Sequence, residues 1–253
     1  MYFDIKKISG IAVEAGKAVM KIYNSPSFDI DIKYKNDNSP VTIADKASHS
    51  IIISGLQSLA PLLPVLSEEG RTIPFEERKN WEYYWCVDPL DGTKEFINRT
   101  NEFTINIALI HKNTPVMGVI YIPVTDTLFY GSIDAGSFKE NIGVDKRKLN
   151  VSDRPGNWIA VGSRSHSSPE ESDFLKKYPI VEIINAGSSL KFCLVAEGKA
   201  QIYYRHGPTM EWDTAAGHAI AAFSGAEVFL PNGSPFLYNK HSLLNESFVC
   251  KVP

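Results

Sequence analysis

The chain has 253 residues, 43% of them apolar and 22% charged, with a formal net charge of −3. This composition excludes a disordered chain and predicts one large domain or two closely packed halves. Lys and Arg are scattered along a net acidic sequence, so no binding surface for a nucleic-acid polymer is expected.

Two amphipathic helices are predicted near the start of the chain. Apolar residues recur at helical spacing from Asp4 to Tyr23, with lysines on the other side. A second helical pattern runs from about Thr42 to Leu59, before Pro61 ends it. Asp45 falls in the first turn of this second helix, where the helix dipole favours an acid.

Short apolar runs between turn residues then predict the strands of a mostly antiparallel sheet. The runs cover residues 65–66, 83–87, 103–110, 116–122 and 128–130. A polar stretch follows at 150–157, and beyond it strand and helix patterns alternate. The alternating segments are 158–161, 169–177, 180–184, 189–196, 202–204 and 214–223. We therefore expect an α+β or α/β fold with a first half over residues 1–150 and a second half over residues 151–253.

The sequence gives no sign of a membrane span. No apolar run is long enough to cross a bilayer, and charges interrupt the N-terminal region where a signal peptide needs an apolar segment. We expect a cytoplasmic location; peripheral association with the cytoplasmic face of the inner membrane and the oligomeric state stay open, although no basic amphipathic helix stands out. Cys86, Cys193 and Cys250 are far apart and flanked by apolar residues, which favours buried thiols over disulfides or a zinc site.

The segment Asp88-Pro89-Leu90-Asp91-Gly92-Thr93 has the composition of a metal and phosphate site. It follows the end of a predicted strand, where the proline allows both carboxylates to point towards one place. Gly92 lets the backbone approach a ligand closely, and Thr93 offers a hydroxyl and an amide at a predicted helix start. These oxygen donors suit Mg²⁺ with a bound phosphate. An acidic β-turn with an Asx cap is the alternative, because Asp, Pro and Gly all favour turns.

Two further acids stand at the ends of predicted elements. Glu68 follows the strand at 65–66, where an exposed acidic loop is the alternative. Asp213 opens an apolar helical stretch, where a simple N-cap is the alternative. Acids that come from distant segments, each beside small residues, are what metal-assisted catalysis requires. The set as a whole therefore favours a metal site.

These residues resemble a known family, the magnesium-dependent, lithium-sensitive phosphatases of the inositol monophosphatase superfamily. Its members carry a Glu-Glu pair after a strand, an Asp-Pro-(Leu or Ile)-Asp-Gly-Thr segment and a later Trp-Asp pair, which correspond here to 68–69, 88–93 and 212–213. Within the superfamily, segments 41–45, 91–96, 163–166 and 187–192 resemble the bacterial 3'(2'),5'-bisphosphate nucleotidases. The resemblance spans nearly the whole chain and implies a layered αβαβα sandwich.

The resemblance also implies a site for two or three Mg²⁺ ions. The groups that would hold them are the carboxylates of Glu68, Asp88, Asp91 and Asp213 and the backbone carbonyl of Leu90. The ions would activate a water for in-line attack on phosphorus without a covalent enzyme intermediate, and lithium would compete for one of their sites. Asp45, Glu68 and Thr93 would orient and activate that water.

Candidate substrate contacts lie in both halves of the chain. Backbone N–H groups of Gly92 and Thr93 would complete a phosphate cradle. The resemblance implies that cationic and small polar residues of the second half contact the nucleotide and its 5'-phosphate; they are His166, Ser188, Lys191 and Arg205, together with Asp213. Each of three residues has a structural alternative when it is taken alone. The alternative is a solvated helix lysine for Lys191, a surface charge at a strand end for Arg205 and a loop histidine for His166.

The expected activity is Mg²⁺-dependent hydrolysis of the 3'-phosphate of adenosine 3',5'-bisphosphate to AMP and phosphate, a reaction connected with sulfur metabolism. An inositol monophosphatase or a fructose bisphosphatase is the alternative within the superfamily. A phosphatase that forms an aspartyl-phosphate is disfavoured, because two residues separate Asp88 from Asp91 where that class has one. A non-enzymatic nucleotide sensor is disfavoured because no acid of the set is replaced.

Overall fold

The computed structural model of the protein describes residues 3–25, 33–34, 40–151, 156–164 and 168–253. Two long helices form one outer layer. Helix α1 spans Ile5–Tyr23 and begins after Asp4, whose side chain accepts a hydrogen bond from Lys6 N at 3.0 Å. Helix α2 spans Ile43–Leu59. Both predicted helices are confirmed.

A seven-stranded sheet is built from the first half of the chain. The elements of this region are β1 (Lys33–Tyr34), β2 (Pro40–Val41), β3 (Val65–Ser67), α3 (Phe75–Arg78), β4 (Tyr83–Asp91), α4 (Thr93–Ile97), β5 (Thr104–His111), β6 (Thr114–Ile122), β7 (Thr127–Ser132), β8 (Gly136–Asn141) and β9 (Asp145–Leu149). β1 pairs with β2, and the large sheet has the order β3-β4-β5-β6-β7-β8-β9. β3 is parallel to β4, and the remaining neighbours are antiparallel. The prediction of a mostly antiparallel sheet is confirmed.

Strands β8 and β9 were not predicted from the sequence. β9 reads Asp-Lys-Arg-Lys-Leu and is exposed except at its last residue. Charges on both faces leave no apolar alternation to indicate a strand. β9 forms a strand because its backbone pairs with β8, which itself pairs with β7. The side-chain pattern does not indicate this pairing.

A five-stranded sheet is built from the second half. The elements are β10 (Trp158–Ser163), α5 (Pro169–Leu175), β11 (Ile180–Ala186), α6 (Leu190–Ala196), β12 (Ile202–Arg205), α7 (Glu211–Phe223), β13 (Glu227–Phe229) and β14 (Phe248–Lys251). The strand order is β11-β10-β12-β14-β13. The pairs β10–β11 and β10–β12 are parallel, whereas β14 is antiparallel to both β12 and β13. The alternating strand and helix pattern predicted after residue 157 is confirmed, and the strands β13 and β14 extend it.

The helices and sheets lie in five layers. α1 and α2 pack on one face of the large sheet, α6 and α7 lie between the two sheets, and α5 packs against β12 on the far side. Close approach of α7 to the large sheet requires Gly118 in β6, because a Cβ there would lie 2.4 Å from Ala216 O. One apolar core lies between the sheets and a second lies under α1 and α2. The predicted αβαβα sandwich is confirmed, and the division at residue 150 stays a prediction.

Two further predictions concern the state of the three cysteines and the length and apolar character of the helices. Cys86, Cys193 and Cys250 are all buried with free thiols, and burial raises the pKa of each. They are therefore poor nucleophiles at neutral pH. Within the described part of the chain, no helix combines the length and the apolar character needed to cross a bilayer. The cytoplasmic location stays a prediction.

Candidate active site

Strand β4 carries two aspartates at its end. The sequence predicted that the strand stops before Asp88, and this is wrong, because β4 continues to Asp91. Asp88 pairs with Asn106 and Asp91 with Thr104 of β5, and the register is irregular between the two pairs. In a regular strand, side chains three residues apart face opposite sides of the sheet; the irregularity removes this constraint.

The turn that follows β4 depends on Gly92. Its φ of +91° lies in the left-handed region that favours glycine. A Cβ at this position would lie 3.0 Å from Glu102 O and 3.2 Å from Ser188 Cβ. Gly92 therefore allows the turn of residues 88–93 to pack against a loop of the second half. Helix α4 begins directly afterwards at Thr93, as the sequence predicts.

Asp45 joins α2 to this turn. Its Oδ2 accepts hydrogen bonds from Thr42 N and Thr42 Oγ1, both at 2.7 Å, which is the capping contact that the helix-dipole alternative anticipates. Its Oδ1 accepts a hydrogen bond from Thr93 Oγ1 at 3.2 Å, and Leu90 O lies 3.2 Å from the same hydroxyl. Burial raises the pKa of Asp45, and the Thr42 and Thr93 hydrogen bonds oppose that shift. Asp45 is thus a capping residue that also holds Thr93.

Asp91 is held by a cluster of polar side chains that reaches the second half. Asn106 Nδ2 donates to Asp91 Oδ2 at 3.1 Å, and Ser189 Oγ lies 2.6 Å from the same oxygen. Ser189 Oγ also lies 2.8 Å from the main-chain oxygen of Asp213. Asp213 stands in the first turn of α7, where its Oδ2 accepts a hydrogen bond from Met210 N at 2.8 Å. The N-cap alternative for Asp213 is therefore wrong, because Met210 is the N-cap of α7 and Asp213 accepts its N–H from inside the first turn. Ser189 brings Asp213 to Asp91.

A single cavity of about 250 Å³ collects most of the predicted site residues. Those that line it are Glu68, Asp91, Gly92, Thr93, Ser188, Lys191, Arg205 and Asp213. Asp45 reaches this lining through Thr93, and Asp88 is buried, with 2% of its surface exposed. The predicted contact of His166 lies outside the described residues.

Two of the cations that line the cavity, Lys191 and Arg205, are buried. Lys191 is 7% exposed, and its Nζ donates hydrogen bonds to Ser188 O at 2.6 Å and to Ala186 O at 3.2 Å. Arg205 is 6% exposed, and its Nη1 lies 3.6 Å from Glu171 Oε1. The alternatives of a solvated helix lysine and a surface arginine are therefore wrong. Buried cations that face a cavity lose less interaction energy to solvent screening than exposed ones.

The carboxylates of the site raise one another's pKa. Burial raises the pKa of Asp88 well above its usual range, and the charges of Glu68, Asp91 and Asp213 raise it further. Burial and the charge of Asp91 likewise raise the pKa of Asp213. Burial lowers the pKa of Lys191, against which the charge of Asp91 acts. The four acids, which come from three distant segments of the chain, therefore lie within electrostatic reach of one another.

The donor chemistry of the site fits a hard cation such as Mg²⁺. The lining carboxylates and the neighbouring Leu90 carbonyl are all oxygen donors. Across the described ranges, no group of three or more His, Cys, Asp or Glu side chains is arranged so that it could hold a metal ion. Mg²⁺ does not need such a group, because it keeps several waters and binds through one or two carboxylates together with substrate phosphate. Separated carboxylates around one cavity therefore suit this ion.

Some residues of the site escaped prediction from the sequence. Asn106 gave a usable signal, because it is a polar residue inside the otherwise apolar run of β5 and a buried amide needs partners. Ser189 lies in the 187–192 segment of the resemblance, although its contact with Asp91 was not predicted, and Glu102 gave no signal. Their partners Asp91 and Gly187 lie 98 and 85 residues away along the chain.

The chain belongs to the inositol monophosphatase family, whose sequence model matches residues 4–250. Within that family, the 3'(2'),5'-bisphosphate nucleotidase CysQ of Escherichia coli (strain K12) is 47% identical over 246 residues, which cover 96% of this chain and 98% of the relative. The crystal structure of CysQ from Bacteroides thetaiotaomicron is 43% identical, with a TM-score of 0.85 over 99% of this chain and 98% of that one. The suhB structure from Bartonella henselae, 24% identical, has a TM-score of 0.80 over 98% of this chain and 93% of that one, which shows the shared fold. The resemblance found in the sequence is confirmed, and enzymes of this family are metal-dependent.

Proposed function

We propose that the protein is a metal-dependent 3'(2'),5'-bisphosphate nucleotidase that converts adenosine 3',5'-bisphosphate to AMP and phosphate. The observation that carries this function is one cavity lined both by carboxylates and by the buried cations Lys191 and Arg205. Carboxylates suit the divalent ions that accompany a phosphoryl group, whereas lysine and arginine suit a second anionic group. The nucleotidase names of relatives matched over nearly their full length support the same activity.

We expect two or three Mg²⁺ ions in the working enzyme. The groups that would hold them are Glu68, Asp88, Asp91, Asp213 and the carbonyl of Leu90. When bound, Mg²⁺ polarises phosphoryl oxygens and lowers the pKa of water. The chain contributes the fixed positions of the donors, because Asn106 and Ser189 hold Asp91 and the Met210 N–H holds Asp213.

Thr93 and Asp45 orient the attacking water in this proposal. Thr93 Oγ1 donates its hydrogen bond to Asp45 Oδ1, which leaves the lone pairs of Thr93 Oγ1 to accept a hydrogen bond from water. Asp45 stays in place because its other oxygen is bound by Thr42. Glu68, at the same cavity, supplies a carboxylate for the water proton. Backbone N–H groups of Gly92 and Thr93 complete the cradle for the phosphate that is removed.

Lys191, Arg205 and Ser188 form the proposed site for the 5'-phosphate, with His166 and Asp213 as further substrate contacts. Hydrogen bonds from buried cations to a phosphate are stronger than those between neutral groups. A nucleotide with two phosphates uses such a pair of cations, whereas inositol 1-phosphate has one phosphate, which the 88–93 turn already accommodates. The paired buried cations therefore favour the nucleotide over the inositol phosphate.

Substrate preference is tested by phosphate release at fixed Mg²⁺. The panel consists of adenosine 3',5'-bisphosphate, adenosine 2',5'-bisphosphate, inositol 1-phosphate and fructose 1,6-bisphosphate. We expect kcat/KM for the 3',5'-bisphosphate to exceed that for inositol 1-phosphate by about tenfold or more, because inositol 1-phosphate has no second phosphate for the second anion site. EDTA is expected to abolish release with every substrate.

Two results would contradict the proposal. A higher kcat/KM with inositol 1-phosphate or fructose 1,6-bisphosphate would move the substrate to the alternative within the family. Release that persists in EDTA at the parent rate would remove the role given to the carboxylates.

A further inference from the structure

Glu102 contacts both parts of the cavity. Its main-chain oxygen packs against Gly92, where a Cβ would lie only 3.0 Å away. Its carboxylate Oε2 accepts a hydrogen bond from Gly187 N at 2.8 Å. Gly187 packs tightly against the Glu102 side chain, since a Cβ would lie 3.0 Å from both Glu102 Cβ and Glu102 Oε2. One residue thus spans from the 88–93 turn to the loop of residues 186–188.

Arg164 holds the Glu102 carboxylate in this position. Arg164 Nε donates to Oε2 at 2.6 Å and Nη2 donates to Oε1 at 2.7 Å, which is the two-bond arrangement that fixes orientation as well as distance. Nη2 also lies 3.3 Å from Asn185 O, at the end of β11. Burial would raise the pKa of Glu102, but the hydrogen bonds from Arg164 and Gly187 outweigh it and the pKa is lowered. The carboxylate is therefore charged when it binds the loop.

The 186–188 loop in turn holds Lys191. The Lys191 ammonium is bound by the carbonyls of Ala186 and Ser188, on either side of the Gly187 N–H that Glu102 accepts. Ser188 has a φ of +46°, a left-handed conformation that is uncommon outside glycine. Such a conformation persists when surrounding contacts impose it. The contacts here are the Glu102 hydrogen bond to Gly187 N and the 2.9 Å approach of Ser188 Oγ to Thr104 Oγ1.

We propose that Glu102 is a positioning residue that fixes the 186–188 loop relative to the 88–93 turn, and thereby selects substrates with two phosphates. This inference rests on the proposed function. Loss of the carboxylate frees the Gly187 N–H and lets the loop carbonyls turn, so Lys191 loses the two acceptors that point it into the cavity. A substrate with a single phosphate depends on the turn and its acids, and is less affected by the loop.

The test compares Glu102→Ala and Glu102→Gln with the parent on adenosine 3',5'-bisphosphate and adenosine 3'-monophosphate. In Glu102→Ala, KM is expected to rise about tenfold for the bisphosphate and less than about threefold for the monophosphate. Glu102→Gln keeps an oxygen acceptor for Gly187 N but loses the charge that pairs with Arg164. Its KM for the bisphosphate should therefore lie between the values of the parent and of Glu102→Ala. The control Glu182→Ala removes an exposed glutamate of β11 and should match the parent. Equal changes in KM for both substrates, or none for either, would overturn the inference.

A second measurement separates this inference from the proposed function. Binding of AMP, which carries only the 5'-phosphate, is measured by calorimetry in the parent and in both Glu102 variants. We expect AMP affinity to fall about tenfold in Glu102→Ala even if the parent hydrolyses no nucleotide, an outcome that would defeat the proposed function alone. AMP that binds the parent and the Ala variant equally, or neither of them, overturns the inference. The loss of AMP affinity in the double variant Glu102→Gln with Arg164→Gln should be smaller than the sum of the losses in the two single variants, because both changes break the same ion pair.

Discussion

The 88–93 turn and the 186–188 loop meet at the same cavity but are held in different ways. The turn is shaped mainly by its own stretch of chain: the irregular end of β4, the left-handed Gly92 and the start of α4. The loop takes its shape from side chains far away in sequence, above all Glu102 and Thr104 of the first half. The turn, whose conformation is largely local, carries Asp88 and Asp91, whereas the remotely held loop binds the ammonium of Lys191 in α6.

This difference separates two kinds of chemistry. The acids near the turn serve the step that every phosphate ester shares, so their removal should affect all substrates. The loop and Lys191 serve only a substrate that brings a second anion. Variants in the two regions should therefore differ in the range of substrates affected, and a variant outside both should affect stability alone.

Breaking the turn should have the largest effect. In Asp91→Asn, kcat/KM is expected to fall by about 10³ or more on every substrate, because the change removes a charge from the oxygen set that would bind the divalent ions. The fold should persist, since Asn can still accept the hydrogen bonds that Asn106 and Ser189 make to Asp91. Phosphate release and thermal unfolding are measured on the same preparation, and Asp88→Asn should behave alike.

The matched control for this variant is Asp134→Asn. Asp134 is exposed between β7 and β8, so the same change of charge there should leave kcat/KM at the parent value. Activity of Asp91→Asn within about tenfold of the parent would remove Asp91 from the metal site. A loss confined to the bisphosphate would remove the distinction between the two regions.

Breaking the second region should have a smaller and selective effect. Lys191→Met keeps most of the buried stem and removes the ammonium that Ala186 and Ser188 bind. We expect KM to rise about thirtyfold for adenosine 3',5'-bisphosphate and less than about threefold for adenosine 3'-monophosphate. Steady-state kinetics with both substrates measures the split.

The control is Lys176→Met, which removes an exposed lysine paired with Asp173 on the surface. It should change neither KM. If Lys191→Met raises both KM values equally, then Lys191 supports the cavity as a whole rather than a second phosphate.

The same contrast explains what could be predicted from the sequence. The segment 88–93 and its acids were predictable because neighbouring residues largely determine the turn. The residue types of the segment also indicate a metal and phosphate site. The end of β4 was predicted wrongly because pairing with β5 resumes at Thr104 beyond the irregularity, and this information lies in the partner strand. The burial of Lys191 and Arg205 was also not predictable from local sequence, since a lysine in a helix or an arginine at a strand end is usually solvated.

The contacts of Glu102 with Arg164 and Gly187 could not be predicted from the sequence. Glu102 stands after two left-handed residues, Arg99 and Asn101, in a stretch that reads as an ordinary polar loop. Its role depends on Arg164 and Gly187, which the fold brings to it. The resemblance could identify the motif that contains Arg164, but the contact itself needs three-dimensional structure.

The smallest expected effect concerns a charge cluster outside both regions. Glu197, whose side chain is 2% exposed at the end of α6, accepts hydrogen bonds from Lys139 at 2.5 Å and Arg147 at 2.7 Å, which ties α6 to β8 and β9. Lys199 Nζ lies 2.9 Å from its other oxygen. Burial would raise the pKa of Glu197, but the hydrogen bonds from Lys139 and Lys199 outweigh it, so the pKa lies below its usual value of 4.5. The cluster thus contributes stability above about pH 4.5 that is lost as the pH falls through the lower folded-state pKa.

Glu197→Gln should lower the free energy of unfolding by about 1–2 kcal/mol at neutral pH, since a hydrogen-bonded charge with several partners is removed. The deficit should shrink in urea unfolding as the pH is lowered from neutral to below the usual glutamate value of 4.5, because the parent then loses the same charge. The control Glu227→Gln breaks a pair with Lys251 in which the glutamate is 55% exposed, and should cost no more than about 0.5 kcal/mol. Because Glu197 lies outside the turn and the loop, kcat/KM should stay at the parent value for both nucleotides. A loss of activity with either nucleotide would mean that the packing of α6 against β8 and β9 also sets the position of Lys191 at the start of the same helix, and the two regions would then not be separable.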